Sequence, residues 1–248
     1  MRIDVVTIFP KVISSVIGES LIKKAREKNL VEIKIWDIRE FTTDKHNTVD
    51  DTPFGGGGGM VMKAEPLAGA LEKVLSQLTG SKRIILTSAS GKKFDQIMAQ
   101  DFSQEENLII ICGHYAGVDE RLQQLFELEE VSIGDFVLTG GELPALVVID
   151  AVVRLIPGVL GNFQSAENDS FYNGILGFPQ YTRPQNFKNL AVPEILISGD
   201  HEKVRIWRRE EALRKTFLNR PDLLEKITLS QEDEKILRRL KMDRSSQA

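Results

Sequence analysis

Two glycine-rich segments of this chain carry residue types that could shape a ligand site. In Asp50-Asp51-Thr52-Pro53-Phe54-Gly55-Gly56-Gly57-Gly58-Gly59-Met60, five consecutive glycines follow paired aspartates. The run lacks the Gly-Lys-Ser/Thr ending and the strand-turn-helix setting of a phosphate loop, so a nucleoside triphosphate site of that type is excluded. It reads either as a flexible surface loop or as backbone passing close to a ligand or partner subunit, where a Cβ would clash. The second segment, Ser132 to Pro144, joins a strand end, the pair Gly140-Gly141 and a helix start with Pro144 near its first turn. Such a turn can offer backbone N–H and C=O groups to an adenine edge while Ile133, Val137 and Leu138 flank the ring; tight strand-helix turns without a ligand are also common.

Other chemistries are poorly supplied. Cys112 is the only cysteine, and His46, His114 and His201 are far apart in the chain. No disulfide, multi-thiolate metal site or structural zinc is expected. No Gly-x-Gly-x-x-Gly turn follows the first apolar run, which disfavours a dinucleotide fold or a Rossmann-type methyltransferase.

Alternating elements must position these segments. Arg2–Phe9, Val31–Ile38, Lys82–Ser88 and Asn107–Cys112 are short Val/Ile-rich runs, separated by amphipathic stretches that open on Pro10, Pro66 and near Lys92. Runs such as Leu108-Ile109-Ile110-Ile111 are apolar without alternation, as expected of strands buried on both faces of a mostly parallel α/β sheet. Ligands of such sheets bind at the carboxyl ends of the strands, here Thr87–Ser90, Gly113–Tyr115 and Gly134–Gly141. A helix is expected from about Glu142 to Ile156, stopped by Pro157-Gly158. Gly161–Gly177 is polar and expected to be mobile. Beyond it, helices are expected over His201–Leu218, Asp222–Ile227 and Gln231–Lys241, with Trp207 in their core and Arg205, Arg208 and Arg209 on an outer face.

The composition, 27% charged and 42% hydrophobic, suits one full core and a small second domain. Charge is unevenly placed within the net −4: from Gly199 onward 13 Lys+Arg stand against 10 Asp+Glu, and the first 198 residues hold 19 against 26. The tail is therefore the better candidate for phosphate contact, although a basic helical face is more often merely solvated. Met1–Pro10 has no basic run ahead of an apolar stretch, so a cytoplasmic location is expected.

Taken in order, these residues resemble the bacterial tRNA (guanine-N1)-methyltransferase family of the SPOUT superfamily. The likeness runs from Asp37–Asp51 through the glycine run, Cys112-Gly113-His114-Tyr115-Ala116-Gly117-Val118-Asp119-Glu120-Arg121 and Ser132–Pro144. It continues over Ile156–Gly161, Asp169-Ser170-Phe171, Tyr181-Thr182-Arg183-Pro184 and Trp207-Arg208. The resemblance implies a deep trefoil knot, which the general rule against threaded connections would not have predicted. It implies a knotted methyltransferase domain over residues 1–160, a flexible interdomain loop over 161–177 and a helical tRNA-binding domain over 178–248. It further implies a homodimer with its active site at the subunit interface, no membrane, and S-adenosylmethionine as cofactor. The cofactor residues by resemblance are Ser88, Gly113, Tyr115, Ile133, Gly134, Asp135, Phe136, Val137, Leu138, Gly140 and Gly141. His46, Asp50, Ser165, Arg183 and Arg208 correspond to contacts with the anticodon branch of tRNA.

The reaction so implied needs the N1 proton of guanine removed while charge gathers on O6. A carboxylate against N1–H and a guanidinium near O6 would do this, and the resemblance assigns Asp169 as base and Arg154 as its electrostatic partner. On the residues alone, Asp169 would read as a solvated side chain or helix cap and Arg154 as a helix-dipole partner. The chain departs from the family pattern Cys-Gly-Arg-Tyr-Glu-Gly at His114 and Ala116, and has Phe136 where tyrosine is usual. Ala116 removes a carboxylate that would face the methionine end of the cofactor or help hold Mg²⁺, which calls Mg²⁺ into question here. A non-catalytic tRNA- or cofactor-binding homologue, or a knotted enzyme acting on ribosomal RNA or a ribose hydroxyl, is the alternative; Arg154, Asp169 and Ser170 count against the first.

Overall fold

The computed structural model describes residues 1–161 and 164–245; of residues 164, 165 and 243–245 it describes the backbone alone. The chain divides into two compact units, Met1–Phe163 and Gln164–Ala248.

The first unit runs β1 (Arg2–Thr7), α1 (Pro10–Ile17), α2 (Ser20–Glu27), β2 (Glu32–Asp37), a short antiparallel pair β3 (Asp50–Asp51) and β4 (Val61–Met62), and α3 (Ala64–Leu75). It continues with β5 (Lys82–Lys93), α4 (Gln96–Phe102), β6 (Asn107–Cys112), α5 (Arg121–Leu125), β7 (Leu128–Ser132) and α6 (Glu142–Val153). Five strands form one sheet in the order β2-β1-β6-β5-β7, every neighbour parallel. This is the α/β class with a mostly parallel sheet that the apolar runs predict.

The unbroken hydrophobicity of the central strand has a direct cause. Leu108, Ile110 and Cys112 enter the core on one face with α1, α2, α4 and α6, while Ile109 and Ile111 enter the core on the other face with α3 and α5. Both faces are covered, so β6 is apolar from Leu108 onward; its first residue, Asn107, is buried with its amide donating to Thr79 O and Ser81 O at 2.7 and 2.9 Å.

Two features at the sheet edge differ from the sequence expectation. β5 pairs with β7 through Ile84–Thr87, then again at Lys92 and Lys93, so residues 88–91 leave the ladder as an outward excursion. The ladder's return delays α4, expected near Lys92, until Asp95 caps it by accepting from the Met98 N–H at 2.9 Å. The strand end read at Ser132 belongs to β7, whose start was not anticipated: it is an edge strand paired only with β5, and Glu129 and Glu130 interrupt its apolar pattern.

The second unit holds α7 (Gln164–Glu167), the hairpin β8 (Asn186–Phe187) and β9 (Leu190–Ala191), a 3₁₀ turn at Glu194–Ile197, α8 (His201–Asn219) and α9 (Gln231–Ser245). Where a helix is expected over Asp222–Ile227 there is a 3₁₀ turn, Pro221–Leu223. The core here is Ile175, Ala212, Leu213, Ile236, Leu237 and Leu240, with Phe178, Phe217 and Leu224 packed against it. The segment expected as a flexible linker thus carries α7 and gives Ile175 to this core; its residues 162 and 163 lie outside the described ones. Buried Thr216 ties the unit together, donating to Ala212 O at 2.7 Å and accepting from Leu176 N–H at 3.0 Å. Asp233 receives both nitrogens of Arg209 at 2.8 and 2.9 Å and caps α9 reciprocally with Ser230. Among the described residues, no helix is long and apolar enough to cross a membrane.

Candidate active site

A cavity of about 420 Å³ opens at the carboxyl ends of β5, β6 and β7, the place a parallel sheet offers a ligand. Its wall includes Ser88, Gly113, Tyr115, Ile133, Gly134, Phe136, Val137, Leu138, Gly140 and Gly141. Asp135 is not in the wall; its side chain is exposed and lies 3.6 Å from Lys93. The three loops expected to meet at the sheet edge therefore do so.

Close backbone packing sets the floor. Gly141 N–H donates to Gly113 O at 2.8 Å, and Gly113 N–H to Thr87 Oγ1 at 3.3 Å. A Cβ on Gly141 would stand 2.0 Å from Thr87 Oγ1, 2.7 Å from Gly113 N and 2.8 Å from Cys112 Cα, so only glycine lets these loops approach. On the lip, Tyr115 adopts φ +59°, a left-handed conformation rare for an aromatic residue. Its loop is held to the end of the glycine run by Ala116 N–H to Met60 O and Met62 N–H to Gly117 O, both 2.9 Å. The glycine run itself is explained by backbone angle: Gly55, Gly56 and Gly57 have φ of +85°, +78° and +122°, and a Cβ on any of them would touch nothing in this chain.

Among the described residues, the wall contains Glu120 and Glu130 and no lysine or arginine. Glu130 accepts from Ser90 Oγ at 2.7 Å and from Gln123 Nε2. Hydrogen bonds from Ser88 above all, then Ser90 and Gln123, hold its carboxyl below the usual range against the opposing effect of burial. The same wall carries exposed apolar side chains: Phe136 is 55% exposed, Val137 85% and Leu138 40%. The arrangement accepts a flat ring along Phe136–Leu138 and a positive group beside Glu130.

Beneath the floor, the carboxylate of buried Glu142 accepts from Thr7 Oγ1 at 2.6 Å and lies 3.6 Å from His114 Nε2. Burial pushes the neighbouring Cys112 thiol well up, and Glu142 adds to this, so the lone cysteine is an inert core residue. Glu130 and Glu142 were missed in the sequence, whereas Thr87 falls in the expected loop Thr87–Ser90. Glu142 had one available signal, its place directly after Gly140-Gly141 at a helix start; Glu130, in the acidic run Glu127–Glu130, had none.

The remaining expected residues are distributed over both units. Arg154 caps the carboxyl end of α6 and is partly buried. Asp50, on β3, stands near the Tyr115 hydroxyl, whose pKa is raised by burial first and by this carboxylate second. His46 is exposed, its backbone N–H donating to Asp44 Oδ1 at 2.9 Å. In the second unit, Asp169 is exposed with its N–H on Ala166 O at 3.1 Å, and Ser170 Oγ accepts from Gly177 N–H at 2.9 Å. Ser165 lies in α7, its side chain outside the described set. Arg183 and Arg208 line a separate cavity of about 490 Å³ within the second unit, together with Trp207, which is half-buried. Arg209, expected on the outer face, is instead held by Asp233, and Arg205 is paired with Glu202 at 2.7 Å.

Comparison with known proteins agrees with this geometry. Residues 1–226 match the family described as tRNA (Guanine-1)-methyltransferase TrmD. A tRNA (guanine-N(1)-)-methyltransferase of Dictyoglomus turgidum is 53% identical over 243 residues, 98% of each chain. Relatives with the same name from Bacillus licheniformis, 50% identical over 95% of this chain and 97% of its own, and Geobacillus kaustophilus, 49% identical over 98% and 100%, are similar throughout. The chain belongs to the tRNA (guanine-1)-methyltransferase family.

Proposed function

We propose that this chain transfers the methyl group of S-adenosylmethionine to N1 of guanine 37 in tRNA, next to the anticodon. The observation that carries this reading is the first cavity: a glycine-floored pocket with an apolar flank, an ionised Glu130 and no lysine or arginine in its wall. A cofactor that joins a flat adenine to a positive sulfonium fits that donor set. Gly113 and Ile133–Leu138 would hold the nucleoside, with Ser88, Tyr115, Gly140 and Gly141 around it.

When bound, S-adenosylmethionine supplies an electrophilic methyl group, so the protein's task is to make guanine N1 a nucleophile. Asp169 takes the N1 proton, and Arg154 stabilises the negative charge that develops on O6. His46 and Asp50 serve the guanine or its neighbour, and Ser165, Arg183 and Arg208 grip the anticodon branch. Arg154 belongs to the first unit and Asp169 to the second; by the family resemblance, the site is completed by a second copy.

A homodimer is supported by the first unit's surface. Helices α1 and α6 pack into the same core, yet each leaves an apolar pair at i, i+4 exposed: Val12 and Val16 at 38% and 44%, Leu143 and Val147 at 57% and 47%. Apolar faces of this kind are commonly buried by a partner. The insertion of β6 between β1 and β5, followed by return to β7 beyond β5, agrees with the knotted path of SPOUT enzymes. A tRNA substrate supports a cytoplasmic location.

The test is radiolabel transfer from S-adenosylmethionine to unmodified tRNA with guanine at position 37, with and without Mg²⁺, by wild type and Asp169→Ala. General-base assistance amounts to roughly 10²–10⁴-fold, and the variant should lose that much. Undiminished transfer by the variant removes the base assignment; no transfer by wild type in either condition favours a non-catalytic binding role. The two Mg²⁺ conditions decide whether the chain, with Ala116 in place of the family's carboxylate, still needs the metal.

A further inference from the structure

We propose that the cavity of the second unit is a pocket for one unpaired nucleotide of the RNA, its base stacked on Tyr181 and its phosphate held by Arg183 and Arg208. The inference rests on the reading of this chain as a tRNA enzyme and extends it from general grip by a helical domain to a built nucleotide site.

Three observations carry it. The cavity, about 490 Å³, has Phe178, Tyr181 and Trp207 in its wall together with Arg183 and Arg208, and, among the described residues, no aspartate or glutamate. That bias stands out against the unit's other arginines with described side chains, which are ion-paired: Arg205 with Glu202, Arg209 with Asp233, Arg214 with Glu210 and Glu211, Arg220 with Asp222, Arg238 with Glu234, Arg239 with Glu210. Finally, the aromatic surface is arranged for access. Tyr181 is 48% exposed, its ring 6.3 Å from that of Trp207 and tilted by 52°, so a base can lie on the open face of Tyr181 with Trp207 as side wall. Arg208 is held over Phe178 at 5.0 Å, which fixes its guanidinium at the rim.

Aromatic faces beside unneutralised guanidiniums are what an unpaired base and its phosphate require. A base-paired helix could use the arginines but not the tyrosine face, because its bases are stacked on one another. Gln180 and Gln185, also in the wall, supply amide groups for the base edge. The wall is supported from behind: Val192 N–H donates to Gln185 O at 2.9 Å, closing the β8–β9 hairpin.

Trp207 provides a direct reporter, since the only other tryptophan is Trp36. In a Trp36→Phe protein, emission is followed while a tRNA transcript with guanine 37 is added, and in parallel a fully paired RNA duplex. Saturable quenching by tRNA and little by duplex is expected. Tyr181→Ala should raise KM for tRNA by about 10- to 100-fold, the typical worth of one stacked base, with kcat at saturating tRNA and affinity for S-adenosylhomocysteine unchanged. Tyr181→Phe should restore KM, and Arg183→Ala should lower the salt slope of tRNA binding by about one. Unquenched Trp207 under saturating tRNA, or quenching equal for duplex and tRNA, overturns the pocket, and does so even if Tyr181→Ala fails to fold. Methyl transfer by the same wild-type preparation is measured alongside, so absence of enzyme activity is distinguished from absence of the pocket.

Discussion

The cavity of the first unit has Glu120 and Glu130 in its wall and no lysine or arginine, whereas that of the second unit has Arg183 and Arg208 and no aspartate or glutamate. Their construction differs as much as their charge. The first is made of backbone turns at strand ends, pressed together so closely that Gly141 admits no Cβ. The second is made of side chains, three aromatic rings and two guanidiniums on a helix and a hairpin-bearing segment. A chain of net charge −4 therefore carries one cavity with carboxylates and another with guanidiniums, because charge is sorted locally.

The largest expected effect tests whether chemistry needs both units from different copies. Arg154→Ala and Asp169→Ala should each lose roughly 10²–10⁴ in rate as homodimers. Co-expressed, they should recover about a quarter of wild-type activity if each site combines Arg154 of one copy with Asp169 of the other, because half the dimers then hold one intact site. No recovery in co-purified mixed dimers would place both residues of a site in one copy.

Next in size, Gly141→Ala should weaken S-adenosylhomocysteine binding by up to about 100-fold in calorimetry, since overpacking of about 1–3 kcal/mol falls on the cavity floor. Trp207 quenching by tRNA should be unchanged, and a variant that loses both would break the separation between the two cavities. The second unit has its own point of weakness at Asp233, whose pKa is held at about 2, chiefly by its hydrogen bonds from Arg209. A carboxylate depressed in the folded state contributes stability above its unfolded pKa of about 4, and that contribution is lost as pH falls toward about 2. Asp233→Asn should lower the second unit's stability by about 2 kcal/mol at pH 7 and flatten its acid sensitivity in that window, read by hydrogen exchange of α8 and α9. Protection lost equally in α6 would mean that the units unfold together.

The smallest effect is the most selective. Glu130→Gln should weaken S-adenosylmethionine about tenfold and S-adenosylhomocysteine, whose sulfur is neutral, by less. Equal losses would show that Glu130 faces some other part of the cofactor.

What could be read in the sequence follows from what each element buries. β1 and β6 announce themselves because the sheet is covered on both faces there, and the turn before α6 does so through Gly140-Gly141 and Pro144. Edge strand β7 shows only its end at Ser132, since its carboxylates serve the cavity and the ion pair of Arg83 with Glu129 at 3.1 Å. The excursion at residues 88–91 is set by a register shift against β7, a tertiary fact with no local signal. Likewise the tail's basic residues are legible as charge, but whether Arg209 faces RNA or Asp233 depends on where α9 packs. Asp169 and Arg154 could be named only through resemblance, because neither sits in a pattern that marks it.

The central claim is the position and atom of methylation, and mapping the product tests it most directly. After reaction with S-adenosylmethionine, tRNA is digested and its nucleosides and fragments are identified by mass spectrometry, using transcripts with guanine or adenine at position 37. One methyl group on N1 of guanine 37, and none on the adenine transcript, is the predicted result. Methylation on a ribose, at another guanine, or equally on both transcripts would contradict it.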